Sequence, residues 1–131
     1  MQIISEKAVV TAPIQQVFDF LKVPSNIELL LPKDKISDFK STDLECSFKA
    51  QGGVTISLVF ANHSEPTKLN MTSGEKAPFK YTLAIILEEK GTETQGHIDF
   101  NADINLFMKM MVEKPLFSLF NSMTERLKQQ F

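Results

Sequence analysis

The sequence predicts an α+β fold, in which an antiparallel sheet of about seven strands packs against a long C-terminal helix and two short helices follow the first strand. From Ile36 to about residue 102, apolar and polar residues alternate between regularly spaced turn signals, which is typical of consecutive antiparallel strands. The last quarter of the chain instead carries an apolar stripe at helical spacing, formed by Leu116, Phe120, Met123, Leu127 and Phe131. A helix with such a stripe needs an apolar surface to lie on, and the preceding strands supply it.

The N-terminal segment predicts a strand followed by a helix. Residues 2–10 mix β-branched and polar residues, which favours a strand. Pro13 suits the first turn of a helix, where a backbone amide has no helical partner to lose. The apolar residues that follow then fall on one helical face: Ile14, Val17, Phe18 and Leu21.

A second short helix is predicted between Pro24 and Pro32. Ser25 and Glu28 have the spacing of a capping box, in which each side chain accepts a hydrogen bond from the other residue's amide. We therefore expect this helix to begin at Ser25 and to end near Leu31.

Six further strands are predicted, separated by turn signals at Gly52-Gly53, residues 62–66, residues 74–78 and Lys90-Gly91. On each of the later strands one alternating set is mainly apolar, so one face of the sheet is expected to be dry. The inward sets are Leu44, Cys46, Phe48 and Ala50; Val54, Ile56, Leu58 and Phe60; Leu69, Met71 and Ser73; Phe79, Tyr81, Leu83, Ile85 and Leu87; and Gly96, Ile98, Phe100 and Ala102.

The C-terminal helix has two alternative starting points. It begins either near Pro115 or near Leu106, in which case Pro115 lies inside it and kinks it. Residues 106–114 contain no Gly and several strong helix formers, which favours the longer, kinked helix.

Composition and charge limit the classes of protein to consider. The 131 residues suffice for one domain over residues 1–131, and the single Cys46 excludes an internal disulfide, so we expect the reducing cytoplasm. Glu6 and Lys7 interrupt the first apolar residues, which argues against a signal peptide. No segment approaches the roughly 20 apolar residues that span a bilayer, so the protein is expected not to be transmembrane. With 14 basic and 16 acidic residues dispersed along the chain, nucleic acid is not an expected partner.

The order of elements resembles the helix-grip fold of START-like and SRPBCC proteins. A local motif supports this resemblance: Val9 to Pro13, followed by Val17 to Leu21, is similar to that superfamily's transition from first strand to first helix. The resemblance covers essentially the whole chain. It implies a strongly curved sheet around the C-terminal helix, with a cavity between them for lipids, sterols, polyketides or other apolar molecules.

Two departures from that superfamily prevent the transfer of any particular ligand. The second short helix lacks the Trp often found there. Gln51-Gly52-Gly53 forms a simple hairpin signal, where the plant members have a longer glycine-rich loop.

Candidate catalytic and metal-binding residues are few. Cys46, His63 and His97 are the only thiol and imidazole donors, and no pair has ligand spacing, so neither a metal site nor a cofactor is predicted. We expect two solvent-facing histidines and a buried, unreactive Cys46. Asp99 and Asp103 share the polar face of a strand with His97, and would form an acid–base site only if that face were the concave one. No residue is assigned a catalytic role.

The expected ligand-binding residues are apolar side chains between sheet and helix. If these side chains instead fill a solid core, no cavity remains. A cavity volume above about 300 Å³ would favour a bound ligand over a solid core. Tyr81 differs from the others because a buried phenol needs a hydrogen-bond partner, which a ligand could supply. Ser57 and Ser73 are weaker candidates for polar anchors. The full set is Phe48, Ile56, Leu58, Phe60, Met71, Tyr81, Leu83, Ile85, Ile98 and Phe100 from strands, with Phe117, Phe120 and Met123 from the helix.

Three functions remain open at this point. Binding or carriage of a small hydrophobic molecule is favoured. The second possible function is an interaction or assembly module with an exposed apolar patch over Met108 to Val112. In this patch Met108, Met110 and Met111 would contact a protein partner or a membrane surface. The third is an enzyme of the polyketide cyclase or aromatase type, which requires an inward-facing acid or base. The oligomeric state does not follow from the sequence.

Overall fold

An eight-stranded antiparallel sheet and a long C-terminal helix make up most of the fold. The structure is a computed structural model that describes residues 1–50 and 52–131. The sheet order is β1-β8-β7-β6-β5-β4-β3, with β2 also paired to β8. The α+β helix-grip class is thereby confirmed. The elements are β1 (Gln2–Ile4), β2 (Ala8–Val10), α1 (Ile14–Leu21), a 3₁₀ helix (Pro24–Leu30), β3 (Ile36–Ser41), β4 (Glu45–Ala50), β5 (Thr55–Phe60), β6 (Lys68–Ser73), β7 (Tyr81–Lys90), β8 (Glu93–Ala102) and α2 (Leu106–Lys128).

The first predicted strand is divided into β1 and β2 by one extra residue. Ile4 is opposite Asp99 and Ala8 is opposite Gly96, so four steps along this segment match three along β8. This bulge changes which residues face inward, from Ile3 in β1 to Ala8 in β2. Simple alternation over residues 2–10 therefore could not describe the segment.

The inner face of the sheet is apolar along β4 to β8, as the alternation predicted. Most of the predicted inward residues are buried together with the apolar face of α1. Leu44 is an exception because it precedes β4, in the turn after β3, and is 69% exposed. Its assignment to the dry face was wrong: the alternation extends past the strand into a turn.

The capping box predicted for the second helix does not form. This helix is of the 3₁₀ type, and Pro24 occupies its first turn, so that Val23 is the N-cap and no side chain caps it. Ser25 therefore lies two residues beyond the N-cap position and cannot act as the cap. The neighbouring Asn26 instead donates a side-chain hydrogen bond to the Phe20 carbonyl oxygen and ties the two short helices together.

Helix α2 begins at Leu106, as the longer of the two alternatives predicted, and contains Pro115. The side chain of Asn105 caps it by accepting a hydrogen bond from the Met108 amide. The stripe from Leu116 to Leu127 is buried, while Phe131 follows the helix and packs edge-on against Phe20. The helix contacts β1, β2, β8 and the 3₁₀ helix. Neither it nor any other helix in the described part of the chain has the length and hydropathy needed to cross a membrane.

Two buried hydroxyl groups attach the N-terminal segment to β8. Ser5 Oγ accepts a hydrogen bond from the Ile98 amide at 2.7 Å, at the bulge between β1 and β2. Thr94 Oγ1 donates to the Ala12 carbonyl oxygen at 2.8 Å, just before α1. Both side chains are buried, so each satisfies a backbone group that water does not reach.

We expect Thr94→Val to lower the free energy of unfolding by about 1–2 kcal/mol, because the buried Ala12 carbonyl oxygen loses its donor while the side-chain volume is nearly unchanged. Urea denaturation of the wild type and the variant measures this difference. Thr82→Val is the matched control: Thr82 is exposed on the outer face of β7, and its replacement should change stability by less than about 0.5 kcal/mol. Equal effects of the two variants would contradict this role of Thr94.

Candidate ligand-binding site

The side chains predicted to line a cavity mostly fill a solid core. Eleven of the thirteen are buried, and Phe60 is partly buried against them. Phe100 is in direct contact with Phe120 and Tyr81, with ring centroids 5.0 and 5.1 Å away. The small void beside Ile85 and Met123 measures about 10 Å³, too little for any ligand.

Phe117 does not face this core. It is 42% exposed and borders an open depression on the outer side of α2, beside Asn121 and Arg126. Its assignment to the cavity lining was wrong. Phe120 and Met123, which were expected to accompany it, are buried because they lie on the helix face that meets the sheet.

The hydroxyl group of Tyr81 is bound by the protein backbone. It accepts a hydrogen bond from the Ser57 amide at 2.8 Å and donates one to the Ser57 carbonyl oxygen at 3.0 Å. Burial raises the pKa of Tyr81, an effect that the hydrogen bond to Ser57 opposes. Ser73 Oγ accepts from the Tyr81 amide at 3.2 Å. Tyr81, Ser57 and Ser73 thus stabilise the sheet, and none of them lines the cavity described next.

A cavity of about 240 Å³ lies between the middle of α2, residues 111–122, and the hairpin that joins β4 to β5. Three larger depressions, of about 660, 640 and 430 Å³, are open and lie on the outer surface. The cavity is therefore in the predicted region, but none of the thirteen predicted residues lines it, and its volume is below the expected 300 Å³. Its lining is Pro32, Lys35, Ala50, Gly52, Val54, Met111, Val112, Pro115, Leu116, Ser118, Leu119 and Ser122.

Small side chains on both walls create this space. Pro115, Ser118 and Ser122 follow one another at intervals of three and four residues, so they form one stripe of short side chains along α2. Ala50 and Gly52 belong to the opposite wall. This stripe is the sequence signal that could have located the cavity, because its short side chains stand among bulky residues on the rest of the helix.

Few polar groups reach the cavity. Lys35 is the one ionisable side chain among the described lining residues, and the hydroxyls of Ser118 and Ser122 are nearby on α2. Pro115 has no amide hydrogen, so the Met111 carbonyl oxygen lacks the donor that normally closes that helical turn. An apolar lining with one cation and a few hydrogen-bonding groups can hold an apolar body and orient one polar end.

The other candidate residues lie away from this cavity. Ile98 and Phe100 are buried, so the polar face of β8 with His97 and Asp99 is the outer face, and the acid–base site that required its inversion does not form. Burial raises the pKa of the Cys46 thiol to about 12, with a smaller contribution from Glu45, which makes the thiol unreactive.

The sequence predicted a solvent-facing His63, but in the structure this side chain is partly buried. Its Nδ1 accepts a hydrogen bond from the Asn70 amide at 3.0 Å, and its ring packs edge-on against Phe18 and Phe60. Burial lowers the pKa of His63 and, together with Lys7, that of His97. In residues 1–50 and 52–131, no cluster of three His, Cys, Asp or Glu side chains is arranged to hold a metal ion.

Solved structures with the same fold come from several bacteria. The protein XoxI from Bacillus cereus is 14% identical, with a TM-score of 0.76 over 99% of this chain and 94% of that chain. The protein TTHA0849 from Thermus thermophilus is 12% identical, with a TM-score of 0.75 over 99% and 96%. A START superfamily protein from Mycobacterium smegmatis is 11% identical, with a TM-score of 0.68 over 99% of both chains.

These structures confirm the START-like resemblance at the level of the fold. No protein-family model matches the chain, and no curated protein matches its sequence significantly. At identities of 11–14% the shared fold does not identify a ligand. The function therefore has to be argued from the cavity and the surface around it.

We expect Tyr81→Phe to lower the free energy of unfolding by about 1–3 kcal/mol, because the amide and carbonyl of Ser57 lose their buried partner. Urea denaturation measures this loss. The same variant should bind any cavity ligand as the wild type does, since Tyr81 is outside the lining. A loss of ligand affinity without a loss of stability would contradict this structural role.

We expect stability to decrease as the pH falls below the ordinary histidine pKa of 6.5. The folded pKa of His63 is lower than the unfolded one, so the unfolded chain takes up the proton first. The contribution of His63 to the free energy of unfolding is fully present above about pH 6.5 and is lost as the pH drops through the folded pKa. Denaturation between about pH 7.5 and 5 covers this window and avoids the carboxyl groups, which titrate at lower pH.

His63→Gln should weaken this pH dependence, because the amide oxygen of Gln can accept the Asn70 hydrogen bond without titrating. His97→Gln is the comparison, since the pKa of His97 is lowered as well. A full pH dependence in His63→Gln would show that His63 makes no contribution.

Proposed function

We propose that the cavity between α2 and the β4–β5 hairpin binds a small molecule with an apolar body and one polar or anionic group. The observation that carries this proposal is a space of about 240 Å³ with a mainly apolar lining, whereas the void beside Ile85 and Met123 in the core measures only about 10 Å³. Apolar clefts with a few convergent polar groups are the usual form of small-molecule sites. The START-like fold supports a ligand-binding role by analogy.

The volume limits the size of the ligand. A cavity of about 150 Å³ with apolar walls accommodates benzene in another protein. The cavity here is larger than that but smaller than the roughly 300 Å³ at which ordinary ligand sites begin. A fused bicyclic ring or a short acyl chain fits this range, whereas an intact sterol would require the helix and hairpin to move apart.

The polar groups favour a carboxylate or hydroxyl at one end of the ligand. Lys35 supplies a positive charge at the lining, and the hydroxyls of Ser118 and Ser122 can donate or accept hydrogen bonds. No carboxylate or imidazole is among the described lining residues, so acid–base chemistry of the cyclase type would depend on Lys35.

We expect Ala50→Leu to weaken the binding of 2-naphthoate at least about tenfold, because three additional carbon atoms occupy the cavity that a bicyclic ring needs. Isothermal titration calorimetry with 2-naphthoate as the probe measures the affinity. Stability should be retained, since the new side chain enters open space. A loss of about 1–3 kcal/mol would instead indicate a cavity that is closed in solution.

Ala84→Leu is the matched control, with the same substitution on the outer face of β7, and should bind 2-naphthoate as the wild type does. Lys35→Met should weaken 2-naphthoate more than the neutral analogue 2-naphthol, because only the carboxylate loses an opposite charge. No binding of either probe by the wild type would contradict the proposal for ligands of this class.

A further inference from the structure

The first two turns of α2 expose a continuous apolar surface, which we call the helix patch: Leu106, Phe107, Met110 and Met111. These side chains are 71%, 70%, 76% and 57% exposed. Leu106 and Met110, like Phe107 and Met111, are four residues apart, so the four side chains adjoin on the helix surface. The sequence placed this patch over Met108 to Val112, but Met108 is half-buried and Val112 is buried.

The helix patch contributes little to the core. The first fully buried side chain of α2 is Val112, and the buried stripe continues from there towards the C-terminus. Four large apolar side chains in water are unfavourable, and burial of each would release free energy. Grouped exposure of this kind is typical of surfaces that contact a membrane or a partner.

The charges around the helix patch favour an anionic partner. Lys109 and Lys114 belong to the same part of α2, and Lys33 and Lys35 belong to the segment at the cavity, where Pro32 and Lys35 are lining residues. The nearby acids on these two segments are Asp34 and Glu113, and Glu113 is 3.8 Å from Lys109. Just before the helix, Asp103 adds one negative charge beside Lys80.

This surface is therefore net positive on a chain whose formal net charge is −2. The remainder of the chain therefore carries a net negative charge, so an anionic membrane attracts this surface and not the molecule as a whole. Attraction between lysines and anionic headgroups acts together with burial of apolar side chains in peripheral membrane proteins.

The chemistry of the helix patch favours lipid over protein. Its four side chains are Leu, Phe and Met, which lack hydroxyl, amide and charged groups and need no directional partner. Phe and Met also occur at protein interfaces, so the surrounding lysines distinguish the two partners: a layer of anionic headgroups carries the opposite charge over a wide area. Hydrocarbon beneath a layer of anionic headgroups matches both the apolar centre and the basic surroundings.

We infer that the helix patch docks on the surface of an anionic lipid bilayer, with its side chains below the headgroups and the surrounding lysines among them. Met111 belongs both to the patch and to the cavity lining, so docking would bring the cavity to the bilayer surface. Docking requires no ligand in the cavity, and it goes beyond the binding function proposed above.

Cosedimentation with vesicles tests this inference. The wild type should bind vesicles of phosphatidylcholine that contain about 30% phosphatidylglycerol, an anionic lipid that gives the vesicle surface a negative potential. The double variant Phe107→Ser with Met110→Ser should bind at least about 30-fold more weakly, because two side chains lose their transfer into hydrocarbon. Both residues are exposed in the free protein, so the variant should fold normally, which thermal denaturation checks.

Leu44→Ser is the matched control. Leu44 is 69% exposed, comparable to the patch residues, but it precedes β4, whereas the cavity lies beyond the other end of that strand at Ala50. At about 3.3 Å per residue of strand, Leu44 and Ala50 are roughly 20 Å apart. This variant should bind the vesicles as the wild type does.

A second pair of substitutions tests the charges. Lys33→Gln with Lys114→Gln should weaken binding to the anionic vesicles by about tenfold and leave the weaker binding to pure phosphatidylcholine unchanged. Added salt should reproduce this loss in the wild type, because ions screen the attraction.

Three results would overturn the inference: no binding of the wild type to anionic vesicles, full binding by Phe107→Ser with Met110→Ser, or a concentration-dependent dimer in sedimentation velocity that this variant abolishes. The last result would assign the patch to a second copy of the chain. Titration of 2-naphthoate without vesicles keeps the two proposals separate. If the probe does not bind but the vesicles do, the cavity function fails and the docking surface stands.

Discussion

The contact between α2 and the inner face of β8 is the constraint on which the rest of the fold depends. Phe120 packs on Phe100, and Phe100 packs on Tyr81 of the next strand, so one aromatic cluster joins the helix to two strands. Strand β8 also pairs with β1, β2 and β7. The N-terminal segment, the sheet and the C-terminal helix are therefore all attached to the same strand.

Because this contact involves the second half of α2, the two halves of the helix have different surroundings. From Leu116 to Leu127, bulky side chains are buried in the core. In the middle of the helix, a stripe that includes Pro115 and Ser118 faces the β4–β5 hairpin, and close contact is not reached there. A cavity and an exposed apolar patch consequently occur at the same end of the molecule.

That end of the molecule holds the features on which both proposals rest. The cavity can shelter an apolar body from water, and Lys35 lies at its lining. The exposed side chains of Phe107 and Met110 lie one to two helical turns before the cavity stripe. The buried hydroxyl of Tyr81, by contrast, is satisfied within the protein by the backbone of Ser57 and is not available to a ligand.

Periodicity in the sequence was enough to predict the strands of the dry sheet and α1, because alternation and helical spacing indicate which face of an element is buried. The full length of α2 was favoured by residue type instead, since residues 106–114 contain no Gly and several strong helix formers. Periodicity was not enough to place the bulge at Ser5, which depends on an amide of β8, or the partner of Tyr81, a backbone group 24 residues away. The cavity lining was missed for a related reason. Burial follows from the pattern of one element, whereas an empty volume depends on the fit between two elements, and only the tertiary structure sets Ala50 opposite the small residues of α2.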